Sequence, residues 1–270
     1  EVSMLYASPA PAPLSPPLRR DQGRLLREVP PGAAAVEPTL VLSNGHYNVS
    51  LRANGAGCSR WGETGINRWR DDALRDAHGS FFYLRRGAQQ RPVSLTQHPA
   101  PDPAAHYQCT YHADRVCFDA TWPDLHVRTT VWVSPEDDIE FRQVELSNLG
   151  PHGLEIELIS AFEVALADPR ADEAHPAFGN LFVQARWQPM DQALVFQRTP
   201  RLATERTTLA AHFLAETEGP VRETRVLADR QVWLGRNHDV SQPRAAFPPS
   251  FDGPGAATAT ASERTVVTGL

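Results

Sequence analysis

From His126 to Asn148 the chain alternates, turns and returns, a pattern that leaves little room for anything but antiparallel sheet. Val127, Thr129, Val131 and Val133 fall on one side of an extended segment, because successive side chains of a strand point to opposite faces. Pro135-Glu136-Asp137-Asp138 supplies turn chemistry, and Ile139 to Ser147 returns as the second arm of a hairpin. The apolar parity shifts from Ile139 and Phe141 to Val144 and Leu146, which predicts either a bulge near Arg142-Gln143 or burial on both faces. Asn148-Leu149-Gly150-Pro151-His152-Gly153 then turns into Leu154, Ile156 and Leu158, completing a meander.

Further strands are predicted at Tyr47–Arg52, Phe81–Arg85, Arg115–Thr121, Leu181–Arg186, Ala193–Gln197, Thr208–Ala215 and Gln231–Leu234. At a spacing of about 8 to 12 residues the folded part carries roughly twenty strands, more than an immunoglobulin-type sandwich uses. The expected fold is all-β, two large stacked antiparallel sheets, with short helical turns at Asp71–Asp76 and Asp172–Ala177. A chain of 270 residues, 41% hydrophobic, can bury one large core. Eight of its 24 prolines lie in the first 38 residues, so residues 1–38 read as an extended linker. Residues 39–252 read as the sheet domain. Residues 253–270, rich in small side chains, read as a tail or the start of a linker, poorly ordered or adding an edge strand.

The composition excludes several function classes. A net charge of −6 speaks against a nucleic-acid footprint, although all 26 basic residues are arginine. Cys58, Cys109 and Cys117 have no metal-ligand spacing and leave an odd thiol, which points to free cysteines in a reducing, cytoplasmic compartment. No apolar run approaches the ~18 residues of a membrane helix, so no membrane contact is expected. The opening EVSMLYASPAPAPL lacks both a charged and an apolar signal region. No GxSxG, Walker, HExxH or CxxC motif occurs. The carboxylates of Glu136, Asp137, Asp138 and Glu140 have the chemistry of a glycosidase pair, but on a hairpin they read as a solvated acidic turn.

The chemistry gathers instead between Asn54 and Arg86, where Arg60-Trp61 and Arg68-Trp69-Arg70 meet Asp71, Asp72 and Asp76. Guanidinium planes beside indole rings allow cation–π contact, and arginine with aspartate allows bidentate pairing. The cluster admits two roles. It can be a structural knot that fixes a long loop, or a surface that stacks a pyranose ring on tryptophan while Arg and Asp reach its hydroxyls. The candidate carbohydrate- or interface-facing residues are therefore Arg60, Trp61, Arg68, Trp69, Arg70, Asp71 and Asp76. His175, in Ala174-His175-Pro176-Ala177-Phe178 after Asp172 and Glu173, joins them, though this spacing is no metal motif and a lone histidine is more often a hydrogen-bonded loop residue. No catalytic residue and no metal ligand is assigned.

The strings SRW, NRWR and HGSFFYLR in this segment, with EDDIEFRQVELSN at 136–148, AHPAFGNLFV at 174–183 and RTPR at 198–201, closely resemble the N-terminal domain of glycoside hydrolase family 94. This family was formerly glycosyltransferase family 36. Within it, the phosphorylase-like module of the cyclic β-1,2-glucan synthases is most similar. The resemblance covers roughly residues 40–240 and implies a β-supersandwich similar to that of galactose mutarotase. It also implies a parent enzyme that carries out inverting phosphorolysis of a β-glucoside, with phosphate or α-glucose 1-phosphate as substrate and no cofactor. Its catalytic acid belongs to an (α/α)6 barrel that these residues do not include. The implied partners are a β-glucan oligosaccharide, that barrel and a second copy in a homodimer. The implied role is a non-catalytic sandwich domain that supports structure, interface and substrate position. An independent carbohydrate-binding module and a mutarotase-like epimerase using His175 are the alternatives.

Overall fold

Eleven of the strands lie between Thr39 and Ala167, and their side chains divide cleanly between two facing sheets. In the computed structural model the described residues are 19–21, 24–29, 37–72, 75–87, 90–200, 206–215, 224–244 and 265–269.

The first sheet has six antiparallel strands: β1 (Arg19–Asp21), β2 (Arg24–Val29), β9 (His106–His112), β10 (Val116–Thr121), β11 (Leu125–Val133) and β12 (Glu140–Asn148), paired in that order. The second is larger. It runs from β3 (Thr39–Ser43) through β4 (Tyr47–Arg52), β5 (Gly57–Trp61) and β6 (Thr64–Asn67) to the long β13 (Glu157–Ala167), then through β18 (Thr265–Gly269) to β17 (Arg225–Leu227). The strand β7 (Phe81–Arg85) also pairs with β13 and carries the two-residue β8 (Val93–Ser94). On one flank β13 thus runs beside β7 over residues 157–161 and beside β6 from Val164 to Ala167, where the register shifts. A third sheet of β14 (Val183–Gln188), β15 (Ala193–Arg198) and β16 (Thr208–Phe213) forms an outer layer.

The strand period decides which side chains fill each interface. Along β4, Tyr47, Val49 and Leu51 are buried alternately and meet Val29, Cys109, Tyr111, Val116, Phe118 and Val131 of the six-stranded sheet. A second core between the same two sheets joins Leu84 and Leu95 to Ala120, Trp122, Leu125 and Val127. On the far side of the larger sheet, Val164 and Leu166 pack against Val183, Ala185, Leu194 and Phe196 of the third sheet. There too, Phe81, Tyr83, Ile159 and Ala161 pack against Trp233 and Leu234. The strand β7 is therefore covered on both faces, Phe81 and Tyr83 on one and Phe82 and Leu84 on the other. The result is an all-β supersandwich.

Several expectations from sequence are revised. Gln231–Leu234, expected as a strand, lies in a short helix, α3 (Arg230–Leu234). Asp229 caps it by accepting hydrogen bonds from the Gln231 and Val232 amides, and Gly235 ends it at φ 83°. A four-residue apolar window could not separate the two. The bulge near Arg142-Gln143 is absent, since pairing is continuous from Leu125↔Asn148 to Val133↔Glu140. Nor is β12 buried on both faces; it is the sheet's edge, with Phe141 stacked on Trp132 on the outer face at 5.1 Å. Residues 19–21 and 24–29 are not linker. They form β1 and β2, and β2 pairs with β9, in a stretch that the flanking prolines at 17 and 30 do not enter. At the other end, β18 adds a strand that lies between β13 and β17 and not at an edge; residues 251–264 lie outside the described residues. Cys109 and Cys117 sit opposite Phe118 and Thr110 respectively, so they occupy opposite faces and are free thiols, as is Cys58. Burial raises the pKa of all three.

Candidate functional site

The Arg-Trp segment separates into three places. The deepest centres on Arg68, which follows β6 and extends its pairing by donating its backbone N–H to the Glu163 carbonyl at 2.7 Å. Its guanidinium donates to both Asp172 carboxylate oxygens, at 3.0 and 3.1 Å, to Glu163 Oε2 at 3.1 Å and to Asn180 Oδ1 at 2.6 Å. Asp172 is there because of a local helix start. Asp168 caps the helix α1 (Pro169–Ala174), with proline at its first position, and Asp172 on its inner side is only 4% exposed. A second short helix, α2 (Pro176–Asn180), brings Asn180. Arg70 adds a bond to Asp172 Oδ2 at 3.2 Å and one to the Asp172 carbonyl at 2.9 Å, and Arg230 of α3 holds Glu163 Oε1 at 2.5 Å. Burial works against the Arg68 charge, but Asp172 and Glu163 more than offset it and hold its pKa above the ordinary value.

A shallower knot surrounds Trp69. Arg52 of β4 lies over the half-buried Trp69 ring, 5.0 Å from its centroid, and pairs with Asp71 at 2.5 Å and with Asp76. Asp76 is buried at φ 44° and also accepts from the Asn54 amide at 2.6 Å. The Asp72 carbonyl holds this position by accepting from the Arg75 and Asp76 amides. Desolvation opposes the Arg52 charge, and Asp71 and Asp76 again outweigh it.

Trp61 stands at the rim. It ends β5 at a hairpin whose Gly62 has φ 55°, and its indole Nε1 donates to Asp138 Oδ2 at 2.6 Å across the sandwich. The ring is 46% exposed. Asn44, in the neighbouring β3–β4 turn, donates to the Ser134 and Asp137 carbonyls at 3.0 and 2.9 Å, so three hairpins are tied together. Beneath them, Glu140 accepts from Tyr47, Ser59 and Arg142. Arg60 points to the other face of β5, where it lines an open recess with Glu63, Asp168, Pro169 and Arg170 and pairs with Glu63 at 3.9 Å.

His175 joins none of these groups. Its side chain is exposed at the joint between α1 and α2, and its backbone does the work, donating to the Ala171 carbonyl and accepting from the Gly179 amide. Arg68 and Arg70 meet at Asp172, whereas Asp71 and Asp76 meet at Arg52. Sequence reasoning missed Arg52, Asn54, Glu163, Asn180 and Arg230 as members, and took Asp172 only as a neighbour of His175. Its best signal was the Asp168-Pro169 helix start, which places Asp172 one turn in. Among the described residues no three His, Cys, Asp or Glu side chains gather as a metal site, and no helix is long and apolar enough to cross a membrane.

The arrangement can fasten and it can stack. Glu163, Asp172 and Asp76 are each held by guanidinium or amide donors, which fixes backbone position. The Trp61 ring presents an oriented apolar face beside a carboxylate.

The family described as glycosyl hydrolase 94, supersandwich domain, matches residues 30–258. The chain is also 32% identical over 211 residues to the cyclic beta-(1,2)-glucan synthase NdvB of Rhizobium meliloti (strain 1021). That alignment covers 78% of this chain and 7% of the synthase. With three antiparallel sheets in the order described and a match over most of its length, the chain belongs to the glycosyl hydrolase 94 supersandwich domain family.

Proposed function

We propose that this chain is a non-catalytic, carbohydrate-associated module of a cytoplasmic β-glucan phosphorylase or cyclic β-1,2-glucan synthase, which positions the glucan and seats a helical (α/α)6 barrel. One contrast carries this reading: the carboxylates of the Arg-Trp segment's deep knot are saturated by arginine, while the Trp61 ring is left 46% open. A saturated carboxylate positions a loop, whereas an inverting phosphorolysis needs an acid free to protonate the leaving oxygen. In this reading that acid, and the site for phosphate or α-glucose 1-phosphate, belong to the barrel. Trp61 with Asp138, and Trp69 with Arg52 and Asp71, are the groups offered to glucan or barrel.

Titration of the chain with β-1,2-linked gluco-oligosaccharides, read by Trp fluorescence and calorimetry, tests the binding half. Millimolar affinity that disappears in Trp61→Ala supports it, and it also supports the second reading, an independent binding module, which the exposed ring favours. Incubation with β-1,2-glucan and phosphate tests the other half. Release of α-glucose 1-phosphate by this chain alone would falsify the non-catalytic assignment. A polarimetric rate above buffer with α-glucose would favour the epimerase and overturn it as well.

A further inference from the structure

Where α3 seats on the larger sheet, a narrow crevice has the lining of a ligand site and the size of a water site. Phe81 and Tyr83 of β7, Glu163 of β13 and Trp233 of α3 form its walls together with His78 and Arg68. Aromatic walls with a few converging polar groups are the usual make-up of small-molecule sites. The volume, about 10 Å³, decides otherwise. Roughly 10–15 Å³ accommodates one water, whereas small-molecule clefts run to about 300–1,000 Å³. A pyranose ring does not enter.

The backbone fixes His78 at this crevice. Its carbonyl accepts from the Gly57 amide at 3.0 Å, and the next residue, Gly79, lies so near the Phe81 ring that a Cβ there would come within 2.8 Å of it. The His78 Nδ1 is shielded from solvent and has no hydrogen-bond partner among the described residues. Such an atom calls for an explanation, because most buried polar groups find a protein or water partner. Burial lowers the His78 pKa; Glu163 opposes the shift, and Arg70, Arg68 and Arg230 add to it. The imidazole is therefore neutral, with one nitrogen a donor and the other an acceptor. Polar groups suited to a water stand on the same walls. Glu163 accepts from Arg68 at 3.1 Å and from Arg230 at 2.5 Å, one guanidinium on each oxygen, and an ionised carboxylate has about four lone-pair sites. A water here meets an imidazole nitrogen, a carboxylate and a guanidinium, within the roughly two to four partners that buried waters use. We infer that the crevice binds one ordered water, which hydrogen-bonds His78 Nδ1 and joins it to the Glu163–Arg68 pair. The seam between β7, β13 and α3 is then closed by solvent as well as by side chains. This does not depend on the glucan reading above.

A crystal structure of the 270-residue chain, at about 1.5 Å so that buried waters are defined, should show one water peak within about 3.2 Å of Nδ1 and of a Glu163 or Arg68 atom. His78→Phe keeps a ring and removes both nitrogens, and the peak should be lost. Should that variant fail to fold, Ala161→Val adds two methyl groups to the crevice wall and should displace the water instead. A wild-type map that resolves other buried waters but none here overturns the inference. So does an imidazole turned by about 180° to meet a protein atom directly, or a peak that persists in the variant.

Discussion

Arg68 and Trp61 stand seven positions apart in one Arg-Trp segment, yet they occupy opposite conditions. Arg68 is 10% exposed and donates to two carboxylates and an amide; Trp61 is 46% exposed and its indole donates to an aspartate on another hairpin. Similar composition therefore fastens in one place and presents in the other. What decides is how many partners the rest of the fold brings within reach. Around Arg68 four further elements, β13, α1, α2 and α3, converge, whereas around Trp61 only turns do. A residue motif that labels a family is thus a mixture of framework and surface, and only the surface part is free to meet a ligand.

The comparison breaks most visibly at Asp172. Asp172→Ala strands two guanidinium groups in a poorly solvated site and should cost about 3–5 kcal/mol, read as a lower midpoint in urea unfolding; Asp172→Asn, which keeps the shape and part of the bonding, should cost less. If Asp172→Ala costs no more than Trp61→Ala, the division between fastening and presenting fails.

A half-buried histidine without such an ionic cage sharpens it. Burial beneath the outer sheet pushes His212 down to about 4 from its ordinary 6.5, with Glu140 opposing the shift and Arg142 adding to it. The folded value lies below the unfolded one, so the unfolded chain takes up this proton first. Stability is full above pH 6.5 and declines as the pH falls toward about 4, by about 2 kcal/mol once the ring's partial exposure is allowed for. His212→Phe should flatten that decline in urea melts at stepped pH, and an unchanged slope would assign it to other groups.

The smallest stability effect belongs to the rim. Trp61→Ala and Asp138→Ala should each cost about 1 kcal/mol or less, since their bond is solvent-exposed, and a double-mutant cycle should show coupling of the same small size. If Trp61 stacks on a sugar, its loss should instead weaken oligosaccharide binding about tenfold, roughly 1.4 kcal/mol. A stable Trp61→Ala variant with undiminished affinity would leave Trp61 a mere bolt between hairpins.

The strands were the most legible part of the fold. Tyr47–Arg52 and Phe81–Arg85 have their predicted limits, because both are bounded by turn residues and one face of each meets a core. The parity change in the returning arm of the first hairpin misled, because it was read as geometry when it reflects position. On an edge strand, Phe141 can lie on the outer face against Trp132 without any bulge. The short α3 misled for the opposite reason, since Asp229 and Gly235 mark its ends but its apolar residues are too few to show a period. The Arg-Trp segment was legible as an ionic cluster, with local pairing of Arg68 or Arg70 to Asp71, Asp72 or Asp76 the simple expectation. The partners found are distant: Arg68 reaches Asp172 across 104 positions, a distance over which residue spacing carries no information.

That same distance sets a clock. Arg68 finds its carboxylates and amide 95, 104 and 112 positions further on, so at a synthesis rate of about 5 to 20 residues per second it waits roughly 5 to 20 s for Asp172 to be made. During that interval strands β3–β12 are all complete, and the seam that will close over Arg68 still faces water. A shortened chain that stops before Asp172 never leaves that interval, and one that stops before Asn180 still lacks the amide; any minimal version of the domain must therefore be cut beyond Asn180.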